Sequence, residues 1–110
     1  DIVNFDAFDF GDSIALYPLA VKKHLDDGKY LAWGIVPTSS SKIQGSTVES
    51  LIGKLDGHMA NLSQKSGAPL EQIFEQAIVT PSCGTGSLPV ADAELVFKTL
   101  GEVSQALQTR

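Results

Sequence analysis

A single cysteine, two histidines and one tryptophan in 110 residues leave few chemistries open. One cysteine makes no internal disulfide, so the fold does not depend on oxidation, and a reducing cytoplasm suits such a chain. No apolar run approaches the roughly 18 residues that a membrane span needs. No signal-peptide pattern is visible, and the chain begins Asp1-Ile2-Val3 without methionine; the expectation is a cut piece or a processed chain. Basic residues are also few. Eight lysines and arginines face 13 aspartates and glutamates, a formal net charge of −5. With no basic patch, the chain lacks the electrostatic footprint of proteins that hold nucleic acid or an anionic membrane surface.

What is present reads as one folded unit. Hydrophobic residues make up 43% and charged residues 19%, the balance of a globular chain rather than a disordered one. The length suffices for one compact domain and not for two.

Three short apolar runs are expected to be strands: Ile2, Val3 and Phe5 around Asn4, a buried one, then Tyr30 to Val36, covered on both faces, then Ala77 to about Ser82. Asp9, Gly11 and Asp12 signal a loop after the first. A helix is expected from about Ser13 to Asp26, with Ile14, Tyr17, Val21 and Leu25 on one face, Pro18 in its first turns and Gly28 as its stop. Pro37 ends the second strand and Thr38 to Ser41 form a polar loop. Val48, Leu51, Ile52, Leu55, Met59 and Leu62 repeat at helical spacing, with Ser46 and Glu49 in capping-box positions. Leu70, Ile73 and Phe74 suggest a short helical turn. A last helix is expected from about Asp92, its cap, to Gln108, with Ala93, Val96, Phe97, Leu100, Val103 and Leu107 inward.

The order is strand, loop, helix, three times over, which implies right-handed parallel crossovers. Two α/β architectures fit: a small three-stranded layer, or about three eighths of a (β/α)8 TIM barrel, since a whole barrel needs about 250 residues.

In either architecture sites collect beyond the strand ends. Asp6 ends the first strand and is read either as a metal ligand or acid/base group, or as a carboxylate capping the next helix. Asp9 and Asp12 are read as solvated or capping residues. Cys83 follows the third strand in a loop with Gly84 and Gly86. A thiolate there can bind zinc or act as a nucleophile, or the side chain is a small buried hydrophobe. A nucleophile needs a base, and the only histidines, His24 and His58, fall inside expected helices, the second on a solvated face. Ser39, Ser40, Ser41 and Lys42 could hold an anion or form a solvated loop. Trp33 is read as core.

The segment IVTPSCGTG followed by a helix ending SQALQTR resembles the C-terminal end of the cobalamin-independent methionine synthase catalytic domain. That domain belongs to the uroporphyrinogen decarboxylase/methionine synthase superfamily of barrels. Pro81-Ser82-Cys83-Gly84 matches its Pro-x-Cys-Gly motif, and DIVNFDAF and LAWGIVPT resemble uncharacterised members. The resemblance implies the C-terminal three βα units of a TIM barrel, with residues 1–110 as one partial domain. It implies that Cys83 is a zinc ligand. It makes Asp6 a second ligand, with Asp in place of the Glu that ends the synthases' Asp-Val-Ile-x-Ile-Glu pattern. The family's His-x-Cys pair would lie upstream. The implied activity is a zinc-dependent methyltransferase in which a substrate thiolate attacks a methyl group. The acceptor and donor are homocysteine and a methyl-folate in the synthases, and coenzyme M and a methyl-corrinoid in related barrels. The loop from Val36 to Ser46 departs from the synthases, which leaves the donor open. The implied partners are those small molecules and the remainder of the barrel, with self-association through open strand edges. Two other readings compete: a non-catalytic or flavodoxin-like α/β binding module, and a decarboxylase-like barrel without zinc.

Overall fold

A computed structural model describes residues 1–110. Three strands form one parallel sheet in the sequential order β1-β2-β3: β1 Ile2–Phe5, β2 Tyr30–Val36 and β3 Ala77–Pro81. The first crossover holds α1, Ala7–Phe10, a 3-10 turn at Gly11–Leu16, and α2, Pro18–Asp26. The second holds α3, Ser40–Gln44, α4, Val48–Ser66, and α5, Leu70–Glu75; α6, Val90–Gln108, follows β3. The α/β class is as expected. A flavodoxin-like module would place its first strand in the middle; here β2 is central.

The register explains where the core lies. Phe5, Trp33 and Val79 align across the sheet, as do Val3, Leu31 and Ala77. With period two, these share one face. Leu31, Trp33 and Ile35 join Val21 and Leu25 of α2, Leu51, Leu55, Met59 and Leu62 of α4, and Val96, Val103 and Leu107 of α6 in one cluster. Trp33 is wholly buried and meets the Phe5 ring edge-on at 4.9 Å; such a pair adds about 0.5–1.5 kcal/mol beyond its buried area. The opposite face carries Ile2, Asn4, Ala32, Gly34, Ile78 and Thr80 by alternation, and Ile2, Asn4 and Ile78 are exposed.

Several local expectations are corrected. The helix expected from Ser13 breaks at Tyr17, whose φ of −122° and ψ of 58° are not helical. A residue before proline is driven out of the α region, so Pro18 starts a new helix and Tyr17 points out, 66% exposed. The capping box of α4 lies one residue later than expected. Thr47 accepts from the Ser50 amide at 3.0 Å and its own amide donates to Ser50 Oγ at 2.9 Å. Ser46 is diverted, donating to the Lys42 carbonyl at 2.7 Å. Asp92 is inside the first turn of α6 rather than at its cap, because the helix starts at Val90. The buried stripe of α6 is Val96, Thr99, Val103 and Leu107, which leaves Phe97 57% exposed.

Near the ends of the strands the sheet tightens. Between Gly34 and Val36 the pairing of β2 with β3 shifts. A Cβ on Gly34 would meet Phe5 O at 2.8 Å, Ser82 Cα at 2.9 Å and Pro81 O at 3.0 Å. All three are backbone atoms and cannot swing aside. Gly34→Ala should therefore destabilise the chain by about 1–3 kcal/mol, as overpacking does. Urea unfolding should show a lower midpoint with the same slope; an unchanged midpoint would mean that the strand ends have slack.

Candidate functional site

The carboxyl ends of all three strands open on one small pocket of about 220 Å³. Asp6 and Asp9 reach it from beyond β1, Pro37, Thr38, Ser39 and Lys42 from beyond β2, and Ser82 and Cys83 from beyond β3. Three larger grooves exist, about 410 Å³ beside β3 and α6, about 500 Å³ along α6, and about 650 Å³ beside α4, α5 and Arg110. None contains a thiol or a histidine. The small pocket is where reactive side chains converge, at the place where parallel sheets bind ligands.

Asp6 performs the capping role the sequence allowed. Its backbone is extended and its Oδ1 accepts from the Asp9 amide at 3.0 Å, closing the first turn of α1. Its other oxygen has no hydrogen bond and remains free for a ligand. Asp9 is ion-paired: Lys42 Nζ donates to both of its oxygens, at 2.9 and 3.0 Å. Thr38 Oγ1 and Ser82 Oγ lie 3.2 Å apart and tie the loop after β2 to the end of β3. Cys83 is exposed and free.

The wall carrying Thr38, Ser39 and Lys42 is held by α3. Ile43 anchors this short helix in the core. On its far side Gln44 Nε2 donates to Asp92 at 3.0 Å. The Ser40 hydroxyl, and after it the Gln44 amide, hold the Asp92 carboxyl below its ordinary value of 3.8. Of the four residues expected to form an anion loop, Ser39 and Lys42 face the pocket, while Ser40 serves Asp92.

Neither histidine takes part. His24 Nε2 is 2.8 Å from the Tyr30 carbonyl. His58 was expected on a solvated face, yet its side chain is only 15% exposed. Its ring fills the space left by the missing side chain of Gly11, where a Cβ would lie 2.2 Å from it, and its Nδ1 is 3.2 Å from Asp12. The Lys42–Asp9 and Thr38–Ser82 pairs are the parts that sequence reasoning missed; each joins residues far apart in the chain, and no local pattern signals them.

As a zinc site the pocket is incomplete. Zinc takes Cys, His, Asp or Glu ligands in tetrahedral sets of four. Asp6 and Cys83 line the same pocket, but no group of three or more such side chains is arranged to hold a metal ion. Asp6 and Cys83 are of donor types that zinc takes, and two donors are half of such a set.

No family model, curated protein or solved structure matches the chain.

The depressed Asp92 carboxyl makes α3 sensitive to acid. A group whose folded value lies below its unfolded one contributes stability above the unfolded value and loses it as pH falls through the folded one. Asp92→Asn should therefore lower the urea midpoint at pH 6, and the gap from the parent chain should close as pH falls below the ordinary carboxylate range. A gap that persists at the lowest pH would show that the carboxylate's charge is not what holds α3.

Proposed function

We propose that this chain forms the last three βα units of a methionine synthase-like TIM barrel, a zinc-dependent methyltransferase that moves a methyl group to a thiol. One observation carries the reading. Asp6 and Cys83, singled out by separate motifs near opposite ends of the chain, line one pocket at the carboxyl ends of the strands.

The architecture supports it. The strands are in sequential order, with α2, α4 and α6 sharing one core against a single sheet face. A (β/α)8 barrel repeats that arrangement, with side chains from the other face filling its interior. Apolar side chains stand exposed beside the free edge of β1 and on its crossover: Ile2, Val3, Phe10, Leu16, Tyr17 and Leu19, the last 84% exposed. Further βα units of the same barrel would cover them. Covering them would also remove the free edges that otherwise invite self-association.

In the complete site Cys83 would hold the ion as a thiolate, having given up its proton. Asp6 offers the oxygen that does not cap α1, and the Asp9 amide fixes the plane of the carboxylate. Outer hydrogen bonds of this kind orient a ligand toward its metal. Bound zinc supplies Lewis acidity that keeps a substrate thiol ionised at neutral pH. The thiol acceptor and methyl donor are small molecules that enter over the strand ends. The free thiol of Cys83 suits the cytoplasm.

Two measurements test the reading. The 110-residue chain should lose zinc on dialysis, because two ligands do not close a site; stoichiometric zinc that survives dialysis would contradict the half-site. In the complete protein, Cys83→Ser should lose both bound zinc and methyl transfer to a thiol. A variant that kept its metal and its activity would sink the assignment.

A further inference from the structure

Lys42 has no part in the zinc reading, yet it is the only cationic side chain in the pocket. It reaches the site from α3, whose Ile43 is buried, so the helix carrying it has a fixed seat. Its charge is met by Asp9 through two short contacts. Both partners are partly exposed, at 47% and 36% of their side chains, and an exposed pair of this kind is weak. Around it stand three hydroxyls. Thr38 and Ser82 bond each other, and one of them keeps its hydrogen for a further acceptor, since only one can donate in that contact. The Ser39 hydroxyl makes no hydrogen bond and does not cap α3. An ammonium in a weak, replaceable pair, beside hydroxyl donors without acceptors, is a seat for an oxyanion.

The same pocket limits the charge of that oxyanion. Asp6 and Asp9 leave the site with two carboxylates against one ammonium. A single negative charge can take the place of the Asp9 carboxylate on Lys42. A second one would meet only repulsion from the acids.

We propose that Lys42, with the hydroxyls of Thr38, Ser39 and Ser82, seats a singly charged oxyanion group of the ligand, of the carboxylate or sulfonate class, and that Asp9 is the resting counter-ion it displaces. Lys42 is thus a specificity residue of this pocket. The seat rests on the pocket's own side chains, and its test needs no metal and no turnover. Its failure would leave the zinc assignment standing, and loss of the zinc assignment would leave the seat standing.

The 110-residue chain, with chelator present and ionic strength held by sodium chloride, is titrated with acetate, with methanesulfonate, and with inorganic phosphate at a pH where it is a dianion. Amide and side-chain NMR shifts are followed. Saturable shifts are expected at Thr38, Ser39, Lys42 and Ser82 with the two monoanions, with weaker binding of phosphate. Lys42→Gln should weaken monoanion binding about tenfold or more, the scale of a hydrogen bond from a charged donor. Asp9→Asn should tighten it by about two- to fivefold, the strength of an exposed ion pair. Lys65→Gln makes the same change in net charge at an exposed lysine in the last turn of α4, outside the pocket; it should leave binding unchanged. Each of three results would overturn the seat: shifts spread over all the lysines, equal losses in the Lys42 and Lys65 variants, or phosphate binding as tightly as the monoanions.

Discussion

The close approach of three backbones around Gly34 governs the functional end of this fold. β1 and β3 do not pair with each other; each pairs only with β2. What the two outer strands place beyond their ends can meet only if both lie tight against the end of β2. The missing side chain at Gly34 allows this, with Phe5 O, Pro81 O and Ser82 Cα all within 3.0 Å of where a Cβ would stand. The amide of Ser82 then donates to the Val36 carbonyl at 2.8 Å and carries the pairing past the irregularity. Asp6 is one residue beyond Phe5, and Cys83 one beyond Ser82. The glycine therefore sets the geometry of both candidate ligands without touching either.

Under the zinc reading, that geometry places competing demands on Asp6. Its carboxylate caps α1 through one oxygen, and a cap of this kind is worth about 1 kcal/mol. A metal ligand must also be free to approach its ion. Both demands can be met because they use different oxygens, and the cap then serves the ligand by fixing its plane. Aspartate reaches one methylene less far than glutamate. A site built on Asp6 would need the chain to come closer, which is the direction in which Gly34 acts.

Much of the fold was legible because its signals are local. The three apolar runs became the three strands, but only β2, which has a neighbour on each side, is buried; β1, expected to be buried, is mostly exposed at a free edge. Trp33 is core as read. The failures have physical causes. Pro18 was compatible with a first turn, but its effect on Tyr17 decided the break. Ser46 and Thr47 are both able to cap, and the Lys42 carbonyl claimed the first. Phe97 is apolar but lies off the line through Val96 and Val103, and the stripe admitted Thr99 in its place. His58 looked solvated because nothing near it in the chain reveals Gly11, which packs against it across the fold. The candidate pocket was legible as three strand ends and as Asp6 and Cys83. Its pairing of Lys42 with Asp9 was not, because charge partners on separate loops leave no spacing to read.

The exposure of Cys83 fits a site with only part of its wall. A thiol used as a metal ligand is ordinarily enclosed by the other ligands and by the side chains that keep water from the metal. Here Asp6 and Cys83 rise from the two outer strands, and beyond each outer strand the sheet edge is free. Continuing the sheet past β1 would add a strand end beside Asp6, and continuing it past β3 would add one beside Cys83. Under the barrel reading these are the places from which the remaining ligands come, and the same added strands would cover Ile2 and Ile78 on the bare face. Completing the metal site and burying the open sheet are then one event, so zinc affinity and the stability of the assembled barrel should be thermodynamically linked.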